Sequence, residues 1–153
     1  MEVDCNGLEI LARDECLRLL ATARLGRIGL THRALPTVLP VNFRLTGEHI
    51  LIRTTRGTKL DAATRNAVVA FEVDDIDPDS HTGWSVVVTG VAQELIHPAE
   101  PPLPELIAAS ELVRIPRWAP SGDERIIAIT LEMVSGRRLV AGNTTRAPLD
   151  IAG

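Results

Sequence analysis

The period of the hydrophobic positions changes along the chain, and the changes outline its elements. Cys16, Leu19, Leu20 and Ala23 fall at i, i+3, i+4 and i+7, one stripe of a helix. That stripe predicts a first helix over about Arg13–Ala23, with Asp14 and Glu15 near its positive N-terminal end. Gly26 resets the chain. Leu25–Thr31 and Pro36–Leu45 read as two strands joined by a short turn near His32–Leu35. Pro36 and Pro40 cannot donate to a ladder, so the second strand is expected at an edge or with a bulge. Thr46-Gly47 marks a turn, and His49–Thr54 a third strand. Gly57 opens a short helix to about Asn66, with Leu60 and Ala63 on one face.

Ala67–Val73 is a strongly apolar strand, and Asp74–Gly83 reads as an acidic loop. Ser85–Ile96 is a long strand with Gly90 where a bulge would bend it. Pro98, Pro101, Pro102 and Pro104 mark a break before a helix at about Glu105–Leu112, and Arg114–Asp123 reads as an irregular loop around Trp118. In Arg125–Met133, Ile127, Ile129, Leu131 and Met133 alternate with Ala128, Thr130 and Glu132, the period of a half-buried strand. The tail after Gly142 is expected to fray. Short turns between consecutive strands argue for antiparallel pairing. Six or seven such strands with two or three short helices predict a mainly β chain closed, or nearly closed, into a barrel.

Composition changes this picture little. The 153 residues suffice for one domain, with a core expected over about 8–140, and 45% hydrophobic with 24% charged residues excludes a disordered chain. A net charge of -4 argues against a protein that grips a nucleic-acid backbone through its overall field. No apolar run approaches the roughly 18–20 residues of a membrane span. The acidic start Met1-Glu2-Val3-Asp4 lacks the order of a secretory signal, so a cytoplasmic location is expected.

Several candidate chemistries fail on spacing. Cys5 and Cys16 cannot form a disulfide framework, and Cys16 belongs to a buried stripe. Asp75, Asp77 and Asp79 have the first spacings of a calcium loop, but Ser80 replaces the turn glycine and Val86 the closing glutamate. Gly57-Thr58-Lys59 resembles the end of a phosphate-binding Walker loop, but Ile52 stands at the upstream glycine. His32, His49, His81 and His97 are scattered, with no metal-ligand spacing.

One segment carries chemistry. In Arg53-Thr54-Thr55-Arg56-Gly57-Thr58-Lys59-Leu60 a strand ends, three hydroxyls and three cations follow, and a helix begins. Threonine hydroxyls donate, Arg53 or Arg56 can pair with phosphate oxygens in bidentate fashion, and Lys59 adds a point charge. Together these suit a phosphate monoester. A solvated basic turn with Thr58 as helix N-cap accounts for the same residues.

The order of the segments resembles a known family. A helix is followed by Gly26-Arg27-Ile28-Gly29-Leu30 and by Leu35-Pro36-Thr37-Val38-Leu39-Pro40-Val41-Asn42-Phe43. Gly57-Thr58-Lys59-Leu60-Asp61, Val69-Ala70-Phe71-Glu72-Val73-Asp74 and Gly83-Trp84-Ser85-Val86-Val87-Val88-Thr89-Gly90 come next, then Trp118-Ala119-Pro120 and Ser135-Gly136-Arg137-Arg138. Over about residues 8–140 this is similar to the pyridoxamine 5'-phosphate oxidase-like family, nearest its nitroimidazole-resistance branch. The resemblance implies an antiparallel split β-barrel, a homodimer, and FMN in a cleft between subunits, with the deazaflavin F420 as the alternative cofactor. It implies that Thr37, Val38, Leu39 and Asn42 line the ring of the flavin, largely through backbone groups. It implies that Arg53, Thr54, Thr58 and Lys59 hold the phosphate, that Trp84 and Ser85 approach from the partner chain, and that Arg137 is a distal cationic contact. Trp84 as a plug of the barrel end, Asn42 as a strand-end cap and Arg137 as a solvated residue remain open alternatives.

The resemblance further implies a flavin-dependent oxidoreductase acting on a small molecule, or a flavin carrier without catalysis. Oxidases that make pyridoxal phosphate carry a basic residue early in the second strand and an Arg-Gln pair opening the long strand. Here those regions read Thr37 and Gly83-Trp84-Ser85, so pyridoxamine phosphate is not the expected substrate. Ala12 stands where a Ser or Thr cap is usual in this branch, at a cost of about 1 kcal/mol to the first helix.

Overall fold

The computed structural model of the chain describes residues 1–58, 60–61, 64–95 and 124–139. These residues form eight strands: β1 (Glu9–Leu11), β2 (Leu25–His32), β3 (Leu35–Thr46), β4 (His49–Thr55), β5 (Ala67–Asp77), β6 (Thr82–Leu95), β7 (Glu124–Thr130) and β8 (Met133–Leu139). The helical stripe becomes α1 (Arg13–Thr22). Ala12 caps α1 without a side-chain hydrogen bond, and Asp14 and Glu15 in the first turn favour the positive end of its dipole.

The strands run antiparallel in the order β1-β8-β6-β5-β2-β3-β4-β7, and β7 returns to pair with β6. Six strands thus close into a barrel. Its interior is filled from alternate positions: Ile28 and Leu30, Val41 and Phe43, Ile50 and Ile52, Val69 to Val73, Val86 and Val88, Ile127 and Ile129. Phe43 and Phe71 meet edge to face with centroids 4.8 Å apart. Helix α1 adds Cys16, Leu19 and Leu20 to the same core.

Closure depends on β6 changing partners. Its first half pairs with β8, ending at Thr89↔Met133, and its second half pairs with β7, beginning at Ala92↔Ile129. At the changeover the backbone of Thr130 lies so near Gly90 that a Cβ there would stand 1.7 Å from the Thr130 carbonyl oxygen. The expected bulge at Gly90 is absent from the β5–β6 ladder, whose register runs unbroken through Val69↔Gly90. The irregularity falls on the other side instead, and Gly90 is required for close approach of backbone rather than for bending.

Three further expectations change. The strand read as Arg125–Met133 divides after Thr130. Leu131 is buried but Met133 is exposed, so the inward alternation ends there, and β8 restarts with Val134 packed on the core. The loop read over Asp74–Gly83 is a hairpin whose strands extend to Asp77 and Thr82. The Asp77 carboxylate accepts the Asp79 and Ser80 N–H groups and ties the turn. Strands β1 and β8 carry too weak an alternation to be read from sequence. The helix expected over Glu105–Leu112, the loop around Trp118 and the tail after Gly142 lie outside the described residues. Leu60 and Asp61 are helical, while Ala63 is not described. No described helix is long and apolar enough to cross a membrane.

Gly90→Ala is expected to lower stability by about 3 kcal/mol, or to prevent folding, because the obstacle is backbone. Gly29→Ala, whose Cβ would make ordinary contact at 3.6 Å with the Ala70 Cβ, is expected to stay within about 0.5 kcal/mol of the parent. Urea denaturation of the two variants checks the contrast.

Candidate functional site: the cleft between β3 and β4

β3 pairs with β2 along Leu35–Asn42, but with β4 only over Phe43–Thr46. β4 instead continues with β7 as far as Thr55↔Glu124. Beyond Phe43↔Ile52 the two neighbours therefore part. One wall of the resulting cleft is the edge of β3 over Leu35–Asn42, which has no partner strand on this side among the described residues; the other is the end of β4 and the turn that follows.

Proline sets the chemistry of the first wall. Pro36 and Pro40 lack an N–H, and Phe43 directs its own N–H to Arg24 O on the β2 side, 3.1 Å away. In an antiparallel ladder such residues alternate, so the backbone groups of Val38 and Asn42 turn away from β2, into the cleft. Side chains alternate too. Val41 and Phe43 are buried and Leu39 packs on the core, so Thr37 and Leu39 direct their side chains inward. Val38 is 66% exposed on the outer face.

The second wall is a polar cluster. Thr54 lies on the inward side of β4 with Ile50 and Ile52, whereas Arg53 faces outward. Thr54 Oγ1 and Thr58 Oγ1 are 3.0 Å apart. Thr58 Oγ1 also accepts the Asp61 N–H at 3.1 Å, and Asp61 Oδ2 accepts the Gly57 N–H at 2.8 Å. The spacing Thr58-x-x-Asp61 is a variant of the capping box, and Gly57 takes the positive φ of 81° that the turn demands. Two hydroxyls sharing one hydrogen bond hold two protons, so one proton remains for an outside acceptor. Asp61 and Thr64 are nearly as buried as the core, and Arg65 reaches Asp61 at 3.4 Å. Lys59 lies outside the described residues.

The other expected site residues are elsewhere. Trp84 faces inward beside Val86 and packs on the core. It also lines an open concavity of about 380 Å³ with Asp75, Asp77, Thr82 and Arg138. Ser85 is paired with Arg137, whose Nε donates to Asp4 Oδ2 at 2.9 Å. Ser85 and Leu95 stand ten residues apart on β6, roughly 33 Å of strand. Leu95 pairs with Ile126, beside the Arg125↔Thr54 pair. Within one chain, then, the threonine pair and the Trp84–Ser85–Arg137 group do not converge.

Sequence reading missed Asp61, Arg65 and Arg44. The capping-box spacing could have found Asp61. Arg44 follows Asn42 on the outward face of β3, and its Nε is buried without a hydrogen-bond partner, which no sequence pattern announces.

The fold agrees with a known family. The sequence profile described as pyridoxamine 5'-phosphate oxidase matches residues 12–138. The chain belongs to the pyridoxamine 5'-phosphate oxidase family. It is similar, at 39% identity over 88% of each chain, to the uncharacterized protein Rv0080 of Mycobacterium tuberculosis. It is similar to a structure described as the FAD binding protein from Mycobacterium smegmatis. The TM-score is 0.65 and the identity 31%, over 87% of this chain and 99% of that one. A FAD-binding protein from Mesorhizobium loti gives a TM-score of 0.66 at 26% identity, over 87% of this chain and 99% of that one. The split-barrel architecture expected from the sequence is the one this family member has.

Around the concavity at Trp84, Glu15 accepts from Arg18 at 2.7 Å and from Arg138. Hydrogen bonding from Arg18, then from Arg138, holds its carboxyl at about 2, below the usual 4.5. A depressed carboxylate stabilises the fold above its unfolded pKa and loses that contribution as pH falls through the folded value. The difference in melting temperature between the parent and Glu15→Gln is therefore expected to be constant above about pH 5. It should shrink between pH 4.5 and 2. Thermal melts across that range check it.

Proposed function

We propose that the protein is a flavin-dependent oxidoreductase that holds FMN in the cleft between β3 and β4, completed by a second copy of the chain. The observation that carries this reading is the parting of β3 from β4 opposite a threonine pair with a spare proton. An edge interrupted by Pro36 and Pro40 cannot accept another strand along its length, but the N–H and C=O of Val38 suit the imide edge of a flavin ring. Asn42 adds a further backbone N–H. The buried Nε of Arg44 is a donor in want of an acceptor on the same face. Thr54 and Thr58 supply the hydroxyls for the phosphate and Lys59 a cation, whereas Arg53, on the opposite face of β4, is left out of the set. These residues fit the group.

When bound, the flavin supplies hydride or electron chemistry, and the chain supplies binding, orientation and electrostatics. Backbone donors at the cleft edge favour negative charge on the ring. Thr37 is uncharged and turned inward, which argues against oxidation of pyridoxamine phosphate; a small oxidised acceptor is the proposed substrate. FAD is the second reading, favoured by the 31% identical neighbour described as FAD-binding. F420 is a third, since a phosphate loop of this kind does not separate the two ring systems.

The second copy is argued from the outer face. Val38, Gly29, Ala70, Thr89 and Met133 form one cross-strand row over five strands. Val38, Met133 and the neighbouring Val68 are each more than 60% exposed. An apolar stripe of this kind is suited to burial against another protein surface. Because Val38 also borders the cleft, a partner seated there would bring a second set of side chains to the cofactor. Trp84, Ser85 and Arg137 are the candidates.

Reconstitution with FMN, followed by desalting, absorption spectra and sedimentation, tests the proposal. The parent is expected to retain a two-band flavin spectrum as a dimer. Val68→Glu is expected to remain folded, sediment as a monomer and lose the flavin. A parent that is monomeric with flavin bound would refute the shared cleft. One that retains no flavin at all would refute the cofactor.

A further inference from the structure

The cradle proposed for the phosphate already contains an anion. Asp61 is 4% exposed, and its carboxylate occupies the Gly57 N–H at 2.8 Å. That N–H belongs to the turn between Thr54 and Thr58 and would otherwise be available to a phosphate oxygen. The Asp61 N–H also takes one acceptor position on Thr58 Oγ1. A carboxylate thus sits in the same turn as the hydroxyl pair.

We infer that Asp61 acts as an internal stand-in for the phosphate and keeps the flavin exchangeable. The inference rests on the flavin reading above. Its basis is like-charge repulsion at short range. A phosphate monoester carries about -1.5 to -2 charge at neutral pH. Burial removes the water that would screen it from Asp61. Among the described residues Arg65 reaches the carboxylate, at 3.4 Å and with a side chain 61% exposed, so its offset is partly screened. Arg53 faces the other side of β4. Arg125, inward beside Thr54, is committed to Glu94. The carboxylate therefore holds the turn in shape in the cofactor-free chain, and it opposes the incoming phosphate once the flavin binds. The consequence is selectivity: Asp61 lowers affinity for a flavin ending in a phosphate and leaves affinity for one without it unchanged.

The test compares FMN with riboflavin, which shares the ring and ribityl chain but lacks the phosphate. Asp61→Asn keeps an oxygen for the Gly57 N–H and removes the charge. It is expected to bind FMN about tenfold more tightly and release it more slowly, with riboflavin affinity unchanged. Arg65→Gln, an exposed change, is expected to weaken FMN several-fold without moving riboflavin. If Asp61→Asn weakens both flavins equally, the residue is only a structural cap and the inference is overturned. Unchanged FMN affinity in both variants overturns it as well. If the parent binds neither flavin, the failure is that of the flavin reading, and a folded Asp61→Asn that binds neither confirms that source.

Discussion

Strand β6 must serve three neighbours, and the rest of the structure follows from how it does so. It lies against β5 from Thr82 to Ala92 and divides its other edge between β8 and β7. The division is possible because Gly90 lets the Thr130 backbone pass within a distance no side chain would permit. Once β7 is held by β6, β4 follows β7 to Thr55 and leaves β3 after Ile52. The cleft between β3 and β4 is therefore a consequence of the closure between β6 and β7. Prolines at 36 and 40 keep the exposed edge from recruiting another strand, and leave the peptide groups of Val38 and Asn42 for a ligand.

Much of this was legible in the residues. The stripe from Cys16 to Ala23 located α1 to within a residue, and the segments read as strands over Leu25–Thr31, His49–Thr54 and Ala67–Val73 fall within three strands of the barrel. The prolines announced an edge. What failed was whatever depends on contacts between distant segments. Gly90 looks like a bend until Thr130 is brought against it. Met133 continues an alternation whose partner has already changed. β8 contains a glycine and two arginines, and pairs because β6 and β1 flank it, not because its own sequence favours a strand.

The candidate site divides in the same way. Thr54 and Thr58 were readable because the local order of strand end, hydroxyls and helix start carries the chemistry. Arg53 and Thr54 were read as one group, but adjacent strand residues point to opposite faces, and the structure separates them. Trp84 and Arg137 came from family resemblance alone. In the single chain the first is packed on the core, and the second is tied to Asp4 beyond the reach of the threonine pair. Asp61 stood in plain view as the third residue after Thr58, and its importance emerges only from its burial.

On the proposed reading, the backbone edge at Val38 and the hydroxyl pair at Thr54 and Thr58 belong to one flavin site. Residue-resolved amide hydrogen exchange, with and without FMN, tests it most directly. The Val38 and Asn42 amides, which point away from β2, are expected to exchange quickly in the cofactor-free protein and to become protected on binding. Those of Leu39 and Val41, already bonded to β2, should change little. Bound flavin with no new protection at Val38 or Asn42 would contradict it.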